Sequence, residues 1–175
     1  MHKNLPKQYY FIEKFDKKIL KNQSSKTAII YRNYSKKINI TEILKLRKFC
    51  KKNKLKLFLS NNFKLALKLN LNGAYIPSFN KSFNHLNFSV QKKFVIIGSA
   101  HNLKEIRVKE LQKVDAIFLS SIFKKNNNYL GLLNFIKLNY LTKKNTIALG
   151  GISKKNKKIL NMISLWGFAG ISYFK

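Results

Sequence analysis

The sequence predicts an α/β protein of the (β/α)8 TIM barrel class, in a compact form with a stunted first helix and no eighth helix. Eight short apolar segments recur along the 175 residues, which is typical of parallel strands covered on both faces. Amphipathic helical patterns fill most of the intervals between them. Eight such units close into a barrel without edge strands, and an open doubly wound sheet is the alternative.

The predicted strands are uncharged segments rich in Ile, Leu, Phe and Tyr. In chain order they are 9–12, 28–31, 57–59, 74–76, 94–97, 116–119, 147–149 and 169–171. We assign residues 9–175 to the barrel domain and residues 1–8 to a flexible N-terminus. The apolar fraction of 45% suffices for one core in a chain of this length, and it excludes a disordered chain.

The first half of the predicted helical layer contains three helices. Residues 16–26 leave room for only a stunted first helix. The second helix starts with Asn39 and Glu42 at the spacing of a capping box, in which each side chain satisfies a free backbone amide. A short third helix follows around residues 65–69.

The second half carries further helix-start signals. Asn102 and Glu105 repeat the capping-box spacing, and residues 130–138 have a helical apolar pattern. Ser153 is the predicted N-cap of a last helix, whose apolar face includes Met162 and Trp166 as core residues. Lys175 follows the last strand closely, so no eighth helix is predicted.

The charge is strongly positive, with 36 Lys plus Arg against 6 Asp plus Glu and a formal net charge of +30. Only three of these cations are arginines, whereas base readout and bidentate phosphate binding favour Arg. The lysines are also spread along the whole chain. This pattern favours a solvated lysine surface and no specific nucleic-acid site, and a non-catalytic basic module that binds RNA or another polyanion is the alternative.

Cysteine usage and hydropathy point to the cytoplasm. The single Cys50 has no partner for a disulfide, which fits a reducing compartment. The first residues do not have the pattern of a signal peptide, so secretion is not expected, and the longest uncharged run, 159–174, is too short to span a membrane. Three scattered histidines and one cysteine have no zinc-ligand spacing.

Functional residues of such barrels follow the carboxyl ends of the strands, and two candidates stand out there. Arg32 follows the second strand, where its planar guanidinium suits bidentate contact with an anion, or an ion pair with Glu13. Gly150 and Gly151 follow the seventh strand. They either let the backbone approach a phosphate or make a tight turn.

Ser99 and His101 follow the fifth strand and are two further candidates for catalysis. His101 either carries a proton or caps and packs against the next helix. Few carboxylates are available to hold magnesium, which usually requires one or two of them beside substrate phosphates.

The sequence resembles the thiamine-phosphate synthase and TenI family, because its segments follow the family's motifs in the same order from residue 9 to residue 173. Residues 58–62 (FLSNN), 65–67 (LAL) and 72–76 (NGAYI) are similar to the family's "INDR…LAL…ADGVHL". The other matching segments are 97–102 (IGSAHN) with "GVSAH", 114–117 (VDAI) with "ADYI", 149–152 (LGGI) with "IGGI" and 167–171 (GFAGI) with "GADGV". Their order and spacing carry the resemblance, which identifies the chain as a divergent member.

The resemblance implies thiamine biosynthesis. The family condenses hydroxymethylpyrimidine diphosphate with thiazole phosphate, releasing diphosphate through a carbocation-like state. Arg32 matches the family's arginine after strand two, Ser99 its serine after strand five, and Gly150 and Gly151 its thiazole-phosphate loop. Segment 60–62 and the lysine pair 124–125 complete the expected substrate- and phosphate-binding residues, namely Ser60, Asn61, Asn62, Lys124 and Lys125.

Several positions depart from the family pattern. Asn61 and Asn80 replace the two magnesium-binding aspartates, so no metal ligand is assigned and a Mg²⁺ cofactor is doubtful. Tyr34 replaces a lysine two positions after Arg32. The lysine of the "PTxTK" loop falls near Asn128, with Lys124 and Lys125 close by, and Ser121 replaces the TenI histidine.

The sequence therefore predicts a thiamine-phosphate synthase-like transferase with a degenerate metal site. Its expected partners are phosphorylated thiazole and pyrimidine molecules, and neither a membrane nor a specific nucleic acid is expected. A TenI-like phosphate-ligand binder without transferase activity is the second alternative. The sequence does not decide between a monomer and a homo-oligomer.

Overall fold

The computed structural model describes residues 5–34 and 39–175, and its eight parallel strands form a closed barrel in the order β1 to β8. The strands are β1 Gln8–Ile12, β2 Thr27–Tyr31, β3 Lys56–Ser60, β4 Gly73–Ile76, β5 Val95–Ala100, β6 Ala116–Leu119, β7 Asn145–Leu149 and β8 Gly167–Gly170. Pairing of Tyr9 with Ala169 closes the barrel between β1 and β8. The predicted (β/α)8 barrel is confirmed, and the open sheet is wrong.

Six α-helices of the described residues surround the strands. They are α1 Lys17–Lys21, α2 Ile40–Lys52, α3 Phe63–Lys68, α4 Leu103–Leu111, α5 Gly131–Leu141 and α6 Lys157–Leu160, and a 3₁₀ helix covers Asn84–Asn87 between β4 and β5. With five residues, α1 is as short as predicted. The described residues after β8, 171–175, contain no helix, as predicted for this stretch.

Two predicted N-caps form, but the glutamates of the two predicted capping boxes bind other groups. Asn39 accepts the N–H of Glu42 at 3.0 Å, and Asn102 accepts that of Glu105 at 2.9 Å. The Glu42 carboxylate accepts the backbone N–H of Phe15 at 2.7 Å and the hydroxyl of Tyr31 at 2.9 Å. It therefore joins α2 to the first two βα units instead of closing a capping box.

The last predicted helix is shorter than expected. α6 begins only at Lys157, and Ser153 donates its N–H to the side chain of Asn156, so the predicted Ser153 N-cap is wrong. Because α6 ends at Leu160, the helical period does not extend to Met162, whose side chain is 87% exposed. Its predicted place in the core is wrong, whereas Trp166 packs partly buried against the barrel interior.

Aromatic side chains fill the barrel interior. Tyr9 and Phe118 meet edge to face with ring centroids 5.1 Å apart. Phe11 lies 5.5 Å from both Tyr75 and Phe118. All are buried, so the interior is a packed core and a ligand has room only above it, at the barrel mouth.

The C-terminal tail covers part of the junction between β8 and β1. Phe174 packs 5.2 Å from Tyr10 and lies nearly parallel to Phe168, while the side chain of Gln23 donates to the Phe174 carbonyl. A groove of about 650 Å³ remains beside it. The tail thus takes over some of the burial that an eighth helix provides in longer barrels.

The described chain makes core contacts from its first residues. Leu5 is buried, and the Trp166 indole donates to the Pro6 carbonyl at 3.0 Å. Residues 1–4, half of the predicted flexible segment, lie outside the described residues. Among the described residues no helix is long and apolar enough to cross a bilayer, and the cytoplasmic location stays a prediction.

Candidate functional site

The predicted site residues meet at one end of the barrel. Arg32 follows β2, Ser99 lies near the end of β5, and Gly150 with Gly151 follows β7. Because all eight strands are parallel, their carboxyl ends form one rim, where barrel enzymes carry their active sites.

Arg32 is positioned by the end of β1. Its N–H donates to the Ile12 carbonyl at 2.8 Å, and its guanidinium carbon lies 4.8 Å from the centre of the Phe11 ring. Among the described residues no ion pair joins it to Glu13, so the structural alternative predicted for Arg32 is wrong. The guanidinium edge is left to bind an anion, while its face rests on the aromatic core.

Ser99 is buried beneath the rim. Its hydroxyl accepts a 2.8 Å hydrogen bond from the Tyr75 hydroxyl. Burial raises the pKa of the Tyr75 phenol, and the bond to Ser99 and the Arg32 charge oppose that rise. Tyr75 was predicted only as a strand residue, because a tyrosine in an apolar run gives no functional signal. The catalytic role of Ser99 stays a prediction.

An exposed aromatic pair forms one wall of the mouth. The rings of Tyr34 and Phe79 meet edge to face at 5.4 Å, and they are 50% and 60% exposed. The Tyr34 hydroxyl lies 2.7 Å from the Ser60 hydroxyl. Burial raises the pKa of the Tyr34 phenol, although the Ser60 bond and the Arg32 charge lower it. Phe79 was missed because it lies in a loop without periodicity.

The positions expected to hold magnesium carry two amides bonded to each other. Asn80 donates its side-chain N–H to the Asn61 oxygen at 2.7 Å. Asn62 uses its oxygen to cap α3 at the N–H of Leu65. Among the described residues no three His, Cys, Asp or Glu side chains cluster as metal ligands. Since magnesium binds carboxylate oxygens in preference to amides, this donor set does not fit a resident Mg²⁺.

His101 is held by Glu105, the third residue of α4. The Glu105 carboxylate oxygen lies 2.9 Å from the ring Nδ1 and also accepts the His101 backbone N–H at 2.8 Å. This geometry matches the capping alternative for His101. Its predicted role as a proton carrier is a separate, untested prediction.

The two glycines after β7 are required by a neighbouring loop. Both have positive φ, 103° at Gly150 and 76° at Gly151. A Cβ at Gly150 would collide with the Ser121 hydroxyl, and one at Gly151 would lie 2.6 Å from the Lys124 nitrogen. The Gly150 carbonyl accepts the N–H groups of Phe123 and Lys124. The structure therefore brings exposed Lys124 and Lys125 beside the glycine loop.

The glycine loop gives a first testable prediction. Gly150→Ala should destabilise the protein by about 1–3 kcal/mol, since the left-handed backbone and the Ser121 contact both oppose a Cβ. Chemical denaturation measures the loss. Gly170→Ala is the control, because the nearest atom to a Cβ there, the Ile152 carbonyl oxygen, would lie at an ordinary contact distance of 3.7 Å. Equal stability of both variants would contradict this account of the loop.

A buried lysine fixes the loop that carries Phe79 and Asn80. The Lys109 ammonium, fully buried beneath that loop, donates to the carbonyls of Pro77 and Asn80 at 2.9 and 2.8 Å and to Gln112 Oε1 at 2.9 Å. Burial lowers the pKa of Lys109 to about 8, against the opposing charge of Glu105. Nothing in a lysine-rich sequence distinguishes this one lysine.

A comparison over nearly the whole chain identifies the family. The family model for thiamine monophosphate synthase matches residues 13–174. The chain belongs to the thiamine monophosphate synthase family. The resemblance predicted from the sequence motifs is thereby confirmed, and the match includes seven of the eight strands, β2 to β8. A search of curated proteins finds no match.

Solved structures with similar folds include two proteins described by the same activity. A thiamine phosphate pyrophosphorylase from Pyrococcus furiosus superimposes with a TM-score of 0.75 at 20% identity, covering 95% of this chain and 86% of that one. One from Bacteroides thetaiotaomicron gives 0.59 at 11% identity, covering 97% and 84%. The citrate synthase SbnG gives 0.68 at 9% identity, covering 95% and 86%. At these identities the similarity establishes the barrel fold.

Proposed function

We propose that this member of the thiamine monophosphate synthase family binds thiazole phosphate at the barrel mouth, with Arg32 as the main anion-binding group. The observation that carries the proposal is the placement of Arg32. Its side chain lies over Phe11 at the rim, without an ion pair to Glu13. Charge-assisted bonds from a guanidinium to a phosphate are among the stronger hydrogen bonds in proteins.

The opposite side of the mouth supplies further groups for a phosphate. The loop of Gly150 and Gly151 exposes backbone close to Lys124. Within the described residues, the N–H groups of Gly151 and Ile152 make no hydrogen bond. These amides and the two lysines at 124 and 125 form a second anion-binding region, which suits a substrate with separated charges.

We further propose that the chain condenses the two phosphorylated halves. In that reaction a C–N bond forms between the thiazole nitrogen and the pyrimidine methylene, and the C–O bond to diphosphate breaks. Lys124 and Lys125 would stabilise the departing diphosphate. The faces of Tyr34 and Phe79 would stabilise positive charge on the pyrimidine, because aromatic rings attract cations.

The amide pair at the mouth predicts an unusual dependence on metal. Diphosphate binding to the wild type should be the same in Mg²⁺ and in EDTA, since Asn61 and Asn80 offer no carboxylate. The double variant Asn61→Asp with Asn80→Asp should bind diphosphate at least tenfold more tightly in Mg²⁺ than in EDTA, as carboxylates prefer this ion. Isothermal titration calorimetry measures both. Strong Mg²⁺ dependence of the wild type would contradict the degenerate metal site.

Turnover separates the proposed transferase from a simple binder. The protein is incubated with hydroxymethylpyrimidine diphosphate and thiazole phosphate, and thiamine phosphate is measured by chromatography. Product that disappears in the Arg32→Ala variant supports the transferase. Thiazole-phosphate binding without product supports the TenI-like alternative, and neither binding nor product overturns the proposal.

A further inference from the structure

A basic groove lies between α1 and α2, on the outside of the barrel. We define the α1–α2 groove by its lining, which is Phe15, Lys17, Lys21, Lys45, Lys48, Phe49, Lys52 and Asn53, with a volume of about 500 Å³. Five of these eight residues are lysines, whereas about one residue in five of the whole chain is Lys or Arg. The groove therefore concentrates positive charge beyond what the composition alone explains.

The lysines stand in two facing rows. Lys17 and Lys21 are four apart on α1, and Lys45, Lys48 and Lys52 follow one side of α2 at helical spacing. All five side chains are exposed. Two rows of cations along one groove favour a polyanion such as a nucleic-acid strand.

Nearby acidic groups do not neutralise these rows. Asp16 turns inward and accepts the N–H groups of Lys18 and Ile19. Glu42 accepts the N–H of Phe15 and the hydroxyl of Tyr31. In the described part of the chain no ion pair involves a lysine of the groove, so its field faces solvent unopposed.

The floor of the groove is aromatic and rigid. The rings of Phe15 and Phe49 meet edge to face with centroids 5.5 Å apart. Both are partly buried and pack against the main core, which fixes their orientation. Ring faces between rows of cations are how proteins bind unpaired bases, because every base can stack on an aromatic ring.

We propose that the α1–α2 groove binds single-stranded nucleic acid without sequence preference. The lysines contact the phosphates, and Phe15 and Phe49 stack with unpaired bases. Arg47, Lys51 and Lys54, which line a neighbouring groove on the other side of α2, continue the basic surface for a longer strand. The lining contains no arginine, the side chain that most often reads base edges, so binding is independent of sequence.

Phe15 and Lys17 of this groove follow the carboxyl end of β1, whereas its α2 side extends away from the barrel mouth. Lys52 ends α2 shortly before β3 begins at Lys56, so the C-terminal half of α2 lies near the amino ends of the strands. Arg32 and the glycine loop lie at the opposite end. Lys48 and Lys52 are therefore remote from the proposed thiazole-phosphate site, and each kind of binding can fail without the other.

Fluorescence anisotropy with labelled twelve-nucleotide oligomers of uridine and of deoxythymidine tests the proposal in 150 mM KCl. The groove variant carries Lys45→Gln, Lys48→Gln and Lys52→Gln. The charge-matched control carries Lys137→Gln, Lys143→Gln and Lys158→Gln, at exposed positions elsewhere. We expect affinity for both oligomers to fall about tenfold or more in the groove variant and less than about twofold in the control. The salt slope should fall by about 2 in the groove variant only, at roughly 0.7 per phosphate contact.

Two further measurements address the aromatic floor and the choice of partner. Phe49→Leu should weaken oligomer binding severalfold with the salt slope unchanged, provided that its thermal unfolding matches the wild type. Double-stranded DNA and polyglutamate should bind more weakly than the single strands. Equal losses in the two triple variants, equal affinity for duplex or polyglutamate, or no binding in 150 mM KCl would each overturn the proposal.

Discussion

Replacement of Arg32 by alanine should weaken thiazole-phosphate binding about 10- to 150-fold, or by about 1.5–3 kcal/mol, the range for hydrogen bonds to charged groups. Arg32 projects from the end of β2 onto the Phe11 ring. The wild-type guanidinium thus loses little side-chain freedom when an anion binds, and alanine removes both its charge and its paired donors. Isothermal titration calorimetry with thiazole phosphate measures the difference.

Two further variants separate charge from geometry at this position. Arg32→Lys keeps the positive charge without the planar fork, so its affinity should lie between those of the wild type and the alanine variant. Arg107→Ala is the control, because Arg107 pairs with Glu110 on the exposed side of α4. An Arg32→Ala variant that binds as tightly as Arg107→Ala would show that Arg32 has a structural role only.

Replacement of the buried Lys109 by methionine should destabilise the protein by about 3 kcal/mol or more. The ammonium is the shared donor to Pro77, Asn80 and Gln112. Each buried acceptor left without a donor costs about 1–3 kcal/mol. Urea denaturation measures the loss, and Lys104→Met, at an exposed position of the same helix, should change stability little.

The same substitution predicts a pH dependence. Burial lowers the folded-state pKa of Lys109 to about 8 from an ordinary 10.5, so the unfolded chain binds more protons between these values. The stability of the wild type relative to Lys109→Met should therefore rise as the pH increases from 8 to 10.5, and stay constant below the folded pKa. A difference that falls across this window would contradict the assignment.

Loss of Lys109 should also weaken ligand binding at the barrel mouth. The Pro77 and Asn80 carbonyls that Lys109 binds belong to the loop that carries Phe79. Gln112 supports the same loop by donating to the Ser82 carbonyl at 2.8 Å. We expect a folded Lys109→Met variant to bind thiazole phosphate more weakly than Lys104→Met does. Such a result would identify Lys109 as a positioning residue, which acts on the ligand only through the loop.

Alternation of apolar runs and helical patterns predicted the barrel, because each strand is buried on both faces and carries its own signal. The eight predicted segments differ from the observed strands mainly at their ends, as at β5, which begins at Val95 and continues through Ser99 to Ala100. The failure at Met162 has a local cause. A helical period was continued past Leu160, where the chain leaves the helix.

The site residues that could be predicted from the sequence are those of a residue type or position that is rare in this chain. Arg32 stands out among lysines, and the glycine pair stands out in position after a strand. Tyr75, Phe79 and Lys109 gave no such signal, because their roles depend on contacts across 24 to 45 positions of sequence. Side-chain contacts between residues so far apart in sequence can be identified only from the folded structure.

A crystal structure of the protein with thiazole phosphate tests the central claim most directly. We expect one ligand at the mouth, its phosphate within hydrogen-bond distance of the Arg32 guanidinium and its ring against Tyr34 and Phe79. A ligand bound on the outer surface of the barrel, or an empty mouth at saturating ligand, would contradict the claim that this rim is an anion-binding site.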